Sequence, residues 1–253
     1  QGELIGFVEL WDDDPDWSYA SEDVAVVAAM GQEASLAIQH AHALDSARRS
    51  AEDRALILRV SQAATSVLGL RTVADEIALS SLAVAGAESC GIELWLPEEH
   101  VFEVIADRSI AAWPSDPVVG HKRPGNSNLV YQYAFSHTEP LLIRRGDPIL
   151  DDPVLAEFAE LWGIGSAVIY PLWDDGQLIG LLEIFARDAD AFDAAAIRLG
   201  QEVAAQAGLA IRHAHILAVE KRNAEERAIL LRISQAATSS PNLGDLLHEI
   251  STV

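Results

Sequence analysis

Few side chains in this sequence could do chemistry, and their spacing narrows what that chemistry is. Glu93 lies in the run CGIELWL at 90–96, and Glu183 lies in LIGLLEIF at 178–185. Successive side chains of a strand point to opposite faces. Glu93 and Trp95 therefore share the face opposite Ile92 and Leu94, and Glu183 lies opposite Leu182 and Ile184. Cys90 is the only cysteine, so an intrachain disulfide, a CxxC redox pair and a thiolate cage are excluded within this sequence. Nothing basic adjoins it to stabilise a thiolate, and it is expected to pack as a small hydrophobe. The pairs His40-x-His42 and His213-x-His215 fall in helical patterns, where residues two apart do not face each other. Neither pair is a natural chelate, and no metal site is expected; a bridge across a dimer seam is the arrangement left open.

The elements that must carry these groups follow from pattern and punctuation. Thr72 can cap a helix with Asp75 and Glu76 in its first turn, Val73, Ile77 and Val84 on one face, and Gly86 at its end. Strand signals at 90–96 and 101–106 are joined by four residues opening with Pro97, as in a hairpin. Residues 109–128 are loop-like, punctuated by Pro114, Pro117, Gly120, Pro124 and Gly125. A short helix should start after Ser127 or Asn128 and end near Ser136, followed by a strand at 141–144. Asp152-Pro153 is a cap with proline in the first turn, opening a helix that carries Val154, Leu155, Phe158 and Leu161 and stops at Gly163. Strands at 167–173 and 178–185 are joined through Asp174-Asp175-Gly176, a hairpin signal. A long helix runs from about Asp193 to Ser240-Pro241. This order predicts an α+β fold around an antiparallel sheet.

The segment GIGSAVIYPL at 163–172, then DGQLIGLLEI at 175–184, resembles the GAF domain pattern of a strand ending in Pro-Leu, a glycine turn and an IGxLxL strand. Phe192, Ile197 and the run LAI at 209–211 resemble its closing helix, and AESCGIELW at 87–95 its first strand. The resemblance covers roughly 70–217 in full. It implies a GAF-like antiparallel sheet flanked by helices, acting as a small-molecule sensor or dimerisation module upstream of a histidine kinase, diguanylate cyclase or phosphodiesterase. The family's cyclic-nucleotide signature is absent, since Phe192 is followed by DAAAI and no Asn-Lys pair precedes it. Cys90, in the first strand beside Gly91, does not match the bilin attachment cysteine, and haem is equally unsupported. A single cysteine cannot run methionine sulfoxide reduction, and no enzyme activity is expected.

In the resembled fold the strands of Glu93 and Glu183 are neighbours. That would bring both acids to one cavity, with Trp95 beside them and Tyr170 on the adjoining strand. Trp113, Arg123, Asn128, Tyr131 and His137 would hang above it. A concave apolar site with a few polar groups is the default ligand site, and two acids would favour a cationic or hydroxyl-bearing ligand of unknown identity. The alternative is a partly solvated face that holds no ligand.

The chain also repeats itself. LAIQHAHAL at 36–44 matches LAIRHAHIL at 209–217, and AEDRALILRVSQAAT at 51–65 matches AEERAILLRISQAAT at 224–238, both at an offset of 173. A period this long is a whole domain. Residues 1–45 are read as the last strand and closing helix of a preceding module. Residues 46–69 are a connecting helix, 70–217 a complete GAF domain, and 218–253 a connector and the start of a following one. Residues 1–11 would form a strand without its sheet. No proline interrupts 22–66 or 194–239, and a 45-residue helix would reach about 68 Å. Val24, Val27, Gly31, Ala34, Ile38 and Ala41 make one apolar stripe, with Leu56, Val60, Ala63 and Val67 in a shifted register. Between the stripes, Arg48/Glu52 and Arg49/Asp53 stand four apart, as Lys221/Glu225 and Arg222/Glu226 do in the second copy. A parallel homodimer would cover both stripes, giving a signal-relay rod that leads to a downstream output domain. Packing of each stripe on its own domain is the alternative.

The net charge of −22, from 39 acidic and 17 basic residues of which two are lysine, opposes nucleic-acid binding and contact with anionic membranes. No apolar run of about 18 residues predicts a membrane span. With no signal peptide, a cytoplasmic location is expected, although the first residues read as the interior of a domain.

Overall fold

Short apolar runs, punctuated by Pro97-Glu-Glu-His100 and Asp174-Asp-Gly176, fold into one six-stranded antiparallel sheet. The computed structural model describes residues 6–11, 18–64, 69–84, 86–110 and 118–239. The elements are α1 (Ser21–Ala64), α2 (Leu70–Ser81), β1 (Ser89–Leu96), β2 (Val101–Ser109), β3 (Lys122–Pro124), α3 (Leu129–Ala134), β4 (Leu141–Arg144), α4 (Pro153–Trp162), β5 (Ser166–Asp174), β6 (Gln177–Ala186) and α5 (Ala194–Ser239). The strand order is β3-β2-β1-β6-β5-β4, and every neighbouring pair is antiparallel. The α+β class and the GAF-like sheet with flanking helices are as expected.

The chain divides into two compact units, 1–55 and 56–253. In the first, residues 21–55 are helical and bury no side chain; Met30 and Leu44 are largely exposed. Arg48 pairs with Glu52 at 2.9 Å, but Arg49 turns back to Asp45 at 2.6 Å rather than forward to Asp53. An acid placed four residues before a base is the better order on a helix, which explains the choice. Among the described residues neither Lys221–Glu225 nor Arg222–Glu226 forms an ion pair. The strand expected over 1–11 is not present in its described part: residues 6–11 are outside any strand, and Phe7, Val8, Leu10 and Trp11 are exposed. A lone strand has no ladder to satisfy its backbone, and residues 1–5 lie outside the described ones.

In the second unit the sheet separates two cores. One face packs Ile92, Leu94, Val168, Tyr170, Leu172, Leu182 and Ile184 against Val73 and Ile77 of α2, Val203, Ala207 and Ile211 of α5, and Leu56 and Val60 of α1. The other face gathers Phe102, Tyr131, Ile143, Ile169, Leu181 and Phe185. α2 starts at Leu70 with Gly69 at its N-cap, so Thr72 is inside the helix rather than its cap. It ends at Ser81; Gly86 lies further on with φ +85°, where a Cβ would meet the Ala191 carbonyl at 2.6 Å. The loop expected at 109–128 contains β3, and a 3-10 turn at Pro148–Asp151 precedes α4. Asn128 and Asp152 cap α3 and α4, Gly163 ends α4 with φ +65°, and Asp193 caps α5 through the amides of Ala195 and Ala196. No helix among the described residues is long and apolar enough to cross a membrane.

Candidate functional site

The site grows from a pair of capped helices laid over the sheet. Asn128 Oδ1 accepts from the Tyr131 amide at 2.9 Å, fixing the first turn of α3. Asp152 then serves two helices: Oδ1 accepts from the Val154 amide and Oδ2 from the Leu129 amide, each at 2.9 Å. One carboxylate therefore ties the start of α3 to the start of α4, using donors that a helix cannot satisfy internally. Between these helices and the sheet lies a cavity of about 280 Å³, lined by Val130, Tyr131, Ile143, Leu155, Phe158, Ala167, Ile169 and Phe185 among others. A smaller chamber of about 40 Å³ adjoins it, lined by Gly91, Glu93, Asp107 and Glu183; Arg123, Phe158, Ile164, Glu183 and Phe185 border both.

Glu93 is 1% exposed. Its Oε1 accepts from Arg123 Nη1 at 2.6 Å, and its Oε2 is buried with no hydrogen-bond partner among the described residues. Tyr131, stacked on Phe102 at 4.4 Å, neighbours this pair and favours the charged form of Glu93 without reaching hydrogen-bond geometry at Oε2. Arg123 is delivered by β3, opposite Phe102 in register, and its guanidinium lies 5.9 Å over the Phe158 ring. Burial is the largest influence and works against the charge of Arg123, but Glu93, Tyr131 and Glu183 together outweigh it and the guanidinium stays protonated. Burial pushes the Glu93 carboxyl up, and Arg123 opposes that shift. Glu183 is pushed well above the usual carboxylate range by burial and then by the charge of Glu93, with Arg123 relieving part of it. Asp107 is raised by burial against the pull of Arg108 and Arg123. Glu93 and Glu183 thus share one guanidinium while Asp107 also draws on Arg108, and Glu183 is the carboxyl pushed well above its ordinary range toward the protonated form.

Replacing Glu183 with its neutral isostere tests this. A carboxyl whose folded pKa lies above its unfolded value, ordinarily 4.5, supports stability below that value and loses the support as pH rises through the folded pKa. Glu183→Gln is therefore expected to match the wild type near pH 4.5. Above that it gains, by about 1 kcal/mol, the scale of a desolvation penalty for a buried polar group. Urea unfolding at a series of pH values reads the difference; a gain that does not grow with pH contradicts the assignment.

Of the residues expected at the site, the structure brings Glu93, Arg123, Asn128, Tyr131 and Glu183 to the cavity walls. Trp95 shares the sheet face but packs edge-on against Phe135 and beside Phe102, with ring centroids 4.8 Å apart in both cases, and lines neither chamber. His137 is exposed, stacked on Tyr133 at 4.1 Å, with its carbonyl accepting from Trp173 Nε1. Tyr170 points to the opposite face, where its hydroxyl donates to the Ile197 carbonyl of α5 at 3.3 Å. Trp113 lies outside the described residues. Asp107, Ile164 and the α4 side chains Leu155 and Phe158 line the chambers without having been expected there. Cys90 is buried in the helix-facing core, and burial pushes its thiol pKa up. Among the described residues no cluster of three metal-ligating side chains occurs.

The family model for the GAF domain matches residues 69–211. No curated protein matches the sequence. Among solved structures, a bacteriophytochrome from the photosynthetic bacterium R. palustris aligns over 81% of this chain at 14% identity with a TM-score of 0.57, and this chain spans 46% of that one. The phycocyanobilin-bound GAF domain of a cyanobacterial phytochrome aligns over 65% of this chain and 96% of its own, at 17% identity and a TM-score of 0.55. The GAF domain of an Acinetobacter phosphoenolpyruvate-protein phosphotransferase aligns over 64% and 93%, at 18% identity and 0.50. At such identities the likeness is one of fold.

Cys90 is not placed to hold a bilin in this cavity. The one thiol, Cys90, is 0% exposed on the helix-facing side of the sheet, away from the cavity.

Proposed function

The chain belongs to the GAF domain family, the sensory and regulatory modules found in signalling proteins such as phytochromes, and from that premise we propose that it binds a small molecule in the sheet-face cavity and relays occupancy through α5. The observation that carries this is the position of β5. Its Ala167 and Ile169 line the cavity, while Val168, Tyr170 and Leu172 pack into the core that holds α5. Arg212 of α5 pairs with Asp174 at the end of the same strand. A ligand that shifts β5 therefore acts on α5 without an intermediary, and packed elements respond by switching between discrete arrangements.

α5 is 46 residues long, and beyond Ala214 none of its described side chains is buried. Leu209, Ile216 and Leu230 recur at multiples of seven, with Val219 and Ile233 three residues after heptad positions. Such a seam supports a parallel homodimer. In this reading the chain is not an enzyme. It forms part of a tandem array whose output domain, of histidine kinase, diguanylate cyclase (cyclic di-GMP) or phosphodiesterase type, lies downstream in a cytoplasmic parent. It contacts neither nucleic acid nor membrane. The competing reading, a ligand-free dimerisation scaffold, leaves the open cavity without a use.

Native mass spectrometry is expected to show twice 27.3 kDa with a small molecule retained; a monomer would remove the seam. Inserting one to four residues after Glu220 in the parent should change output with the phase of the insertion. An output indifferent to insertion length would remove the relay.

A further inference from the structure

We propose that this cavity is built for a cation: a small amphipathic molecule whose ammonium or amidinium head sits against Glu93 and Glu183 and whose apolar body lies under α4. The proposal rests on the sensor reading above and names the chemistry of its ligand.

Among the described residues the deep chamber lacks a donor. Glu93 Oε2 is buried and has no partner among them, whereas buried polar atoms in folded proteins are almost always paired. The chamber is also short of positive charge. Glu93, Asp107 and Glu183 line it, and Arg123 is already committed to Glu93 Oε1. The next cation, Arg108, relieves Asp107 but is paired with Asp75 at 2.6 Å and donates to the Asp107 backbone carbonyl. An acceptor-only head would set lone pairs against lone pairs at Oε2. A hydroxyl could donate once, whereas an ammonium offers three donors and a compensating charge.

The outer chamber asks for something apolar. α4 has the sequence PVLAEFAELW, yet it buries none of its residues. Val154 and Leu161 line the chamber while 51% and 70% exposed. A hydrophobic body between α4 and β5 would cover them, and the volume suits a single ring rather than a polycycle.

Proton accounting gives the proposal a signature. Glu183 is faced by Glu93 from β1, Asp107 from β2, Arg123 from β3 and Tyr131 from α3, with Glu157 of α4 on the wall of the outer chamber. Empty, Glu183 is held toward its protonated form by burial and by the charge of Glu93. An incoming ammonium takes over the role of that proton, which leaves to solvent. Binding should release a proton and strengthen as pH rises, until the amine itself deprotonates.

Isothermal titration calorimetry on the whole chain, with 2-phenylethylamine, 2-phenylethanol and phenylacetate as probes in two buffers of different ionisation enthalpy, decides the matter. The amine is expected to bind about tenfold or more tighter than the alcohol, with proton release, and phenylacetate not to bind. In Glu93→Gln, checked for native circular dichroism, the preference for the amine should largely vanish; if that variant does not fold, Glu183→Gln is read instead. An alcohol or acid that binds as well as the amine, or a preference untouched by the substitution, overturns the cation assignment and leaves the cavity as a ligand site. Failure of all three probes to bind at millimolar concentration overturns both.

Discussion

Gly180→Ala is expected to destabilise the domain by about 3 kcal/mol or more, the upper end of what overpacking costs, and so to remove a large part of a typical margin of about 5–15 kcal/mol. Gly180 lies in β6 where it crosses β1, opposite Leu94 in register. A Cβ there would collide with the backbone carbonyl of Glu93. Backbone cannot swing aside as a rotamer can, so the strands must separate, and they are the two central strands of the sheet. The displaced residue is the one whose side chain floors the cavity, so ligand binding should fail with stability. Gly91→Ala is the matched control. Its Cβ would meet only Glu183 Oε2 at 3.6 Å, an ordinary contact, and its cost should stay within about 1 kcal/mol. Urea unfolding followed by far-ultraviolet circular dichroism measures both. Equal losses in the two variants would contradict the close approach at Gly180.

How far such features were legible depends on whether a local rule decided them. The hairpin between β5 and β6 was legible because Asp175 and Gly176 both adopt positive φ, 48° and 75°, as the tight turns favoured by Asp-Gly require. The cap at Asp152 was legible by a local rule too, as were helix starts after Ser127 or Asn128 and near Asp193: Asn128, Asp152 and Asp193 are short polar side chains accepting from their own helices. Asp107 was not. Alternation puts it on the face away from Phe102 and Val104, but the register slips between Ile92 and Glu93, leaving Ile105 as an extra residue. That bulge carries Asp107 round to the cavity. β3 is three residues, Lys-Arg-Pro, with no β propensity to announce it. It exists because Phe102 and Glu103 offer it a ladder, and without it Arg123 would have no fixed place.

Tyr170 shows a different limit. β5 is buried along most of its length on both sides, so its sequence carries no alternation to say which parity faces the cavity. Only the helix on the far side decides. Tyr170 reaches the Ile197 carbonyl, and Gly200 leaves the space its ring occupies. The same residue that was placed at the ligand site thereby belongs to the contact between β5 and α5.

Arg123→Met separates the two jobs given to the Glu93–Arg123 pair. Removing one partner of a buried pair typically costs 3–5 kcal/mol because the other charge is stranded. Arg123 is 33% exposed on its side chain, so solvent already screens part of the interaction, and a loss of about 2–3 kcal/mol near neutral pH is expected. The pH dependence identifies the cause. Without the guanidinium, burial acts on Glu93 with only Tyr131 left to oppose it, so its folded pKa rises further above the ordinary 4.5. The folded state then binds a proton that the unfolded state lacks, so stability is retained below about pH 4.5 and lost progressively as pH rises. The deficit against the wild type should therefore shrink in acid. The double variant Arg123→Met/Glu93→Gln should recover most of the loss at neutral pH, since no stranded charge remains, and the non-additivity of the cycle measures the pair. A deficit that is constant across pH and unrelieved by the second substitution would mean that Arg123 acts through packing on Phe158 alone, and the electrostatic account of the cavity floor would have to be abandoned.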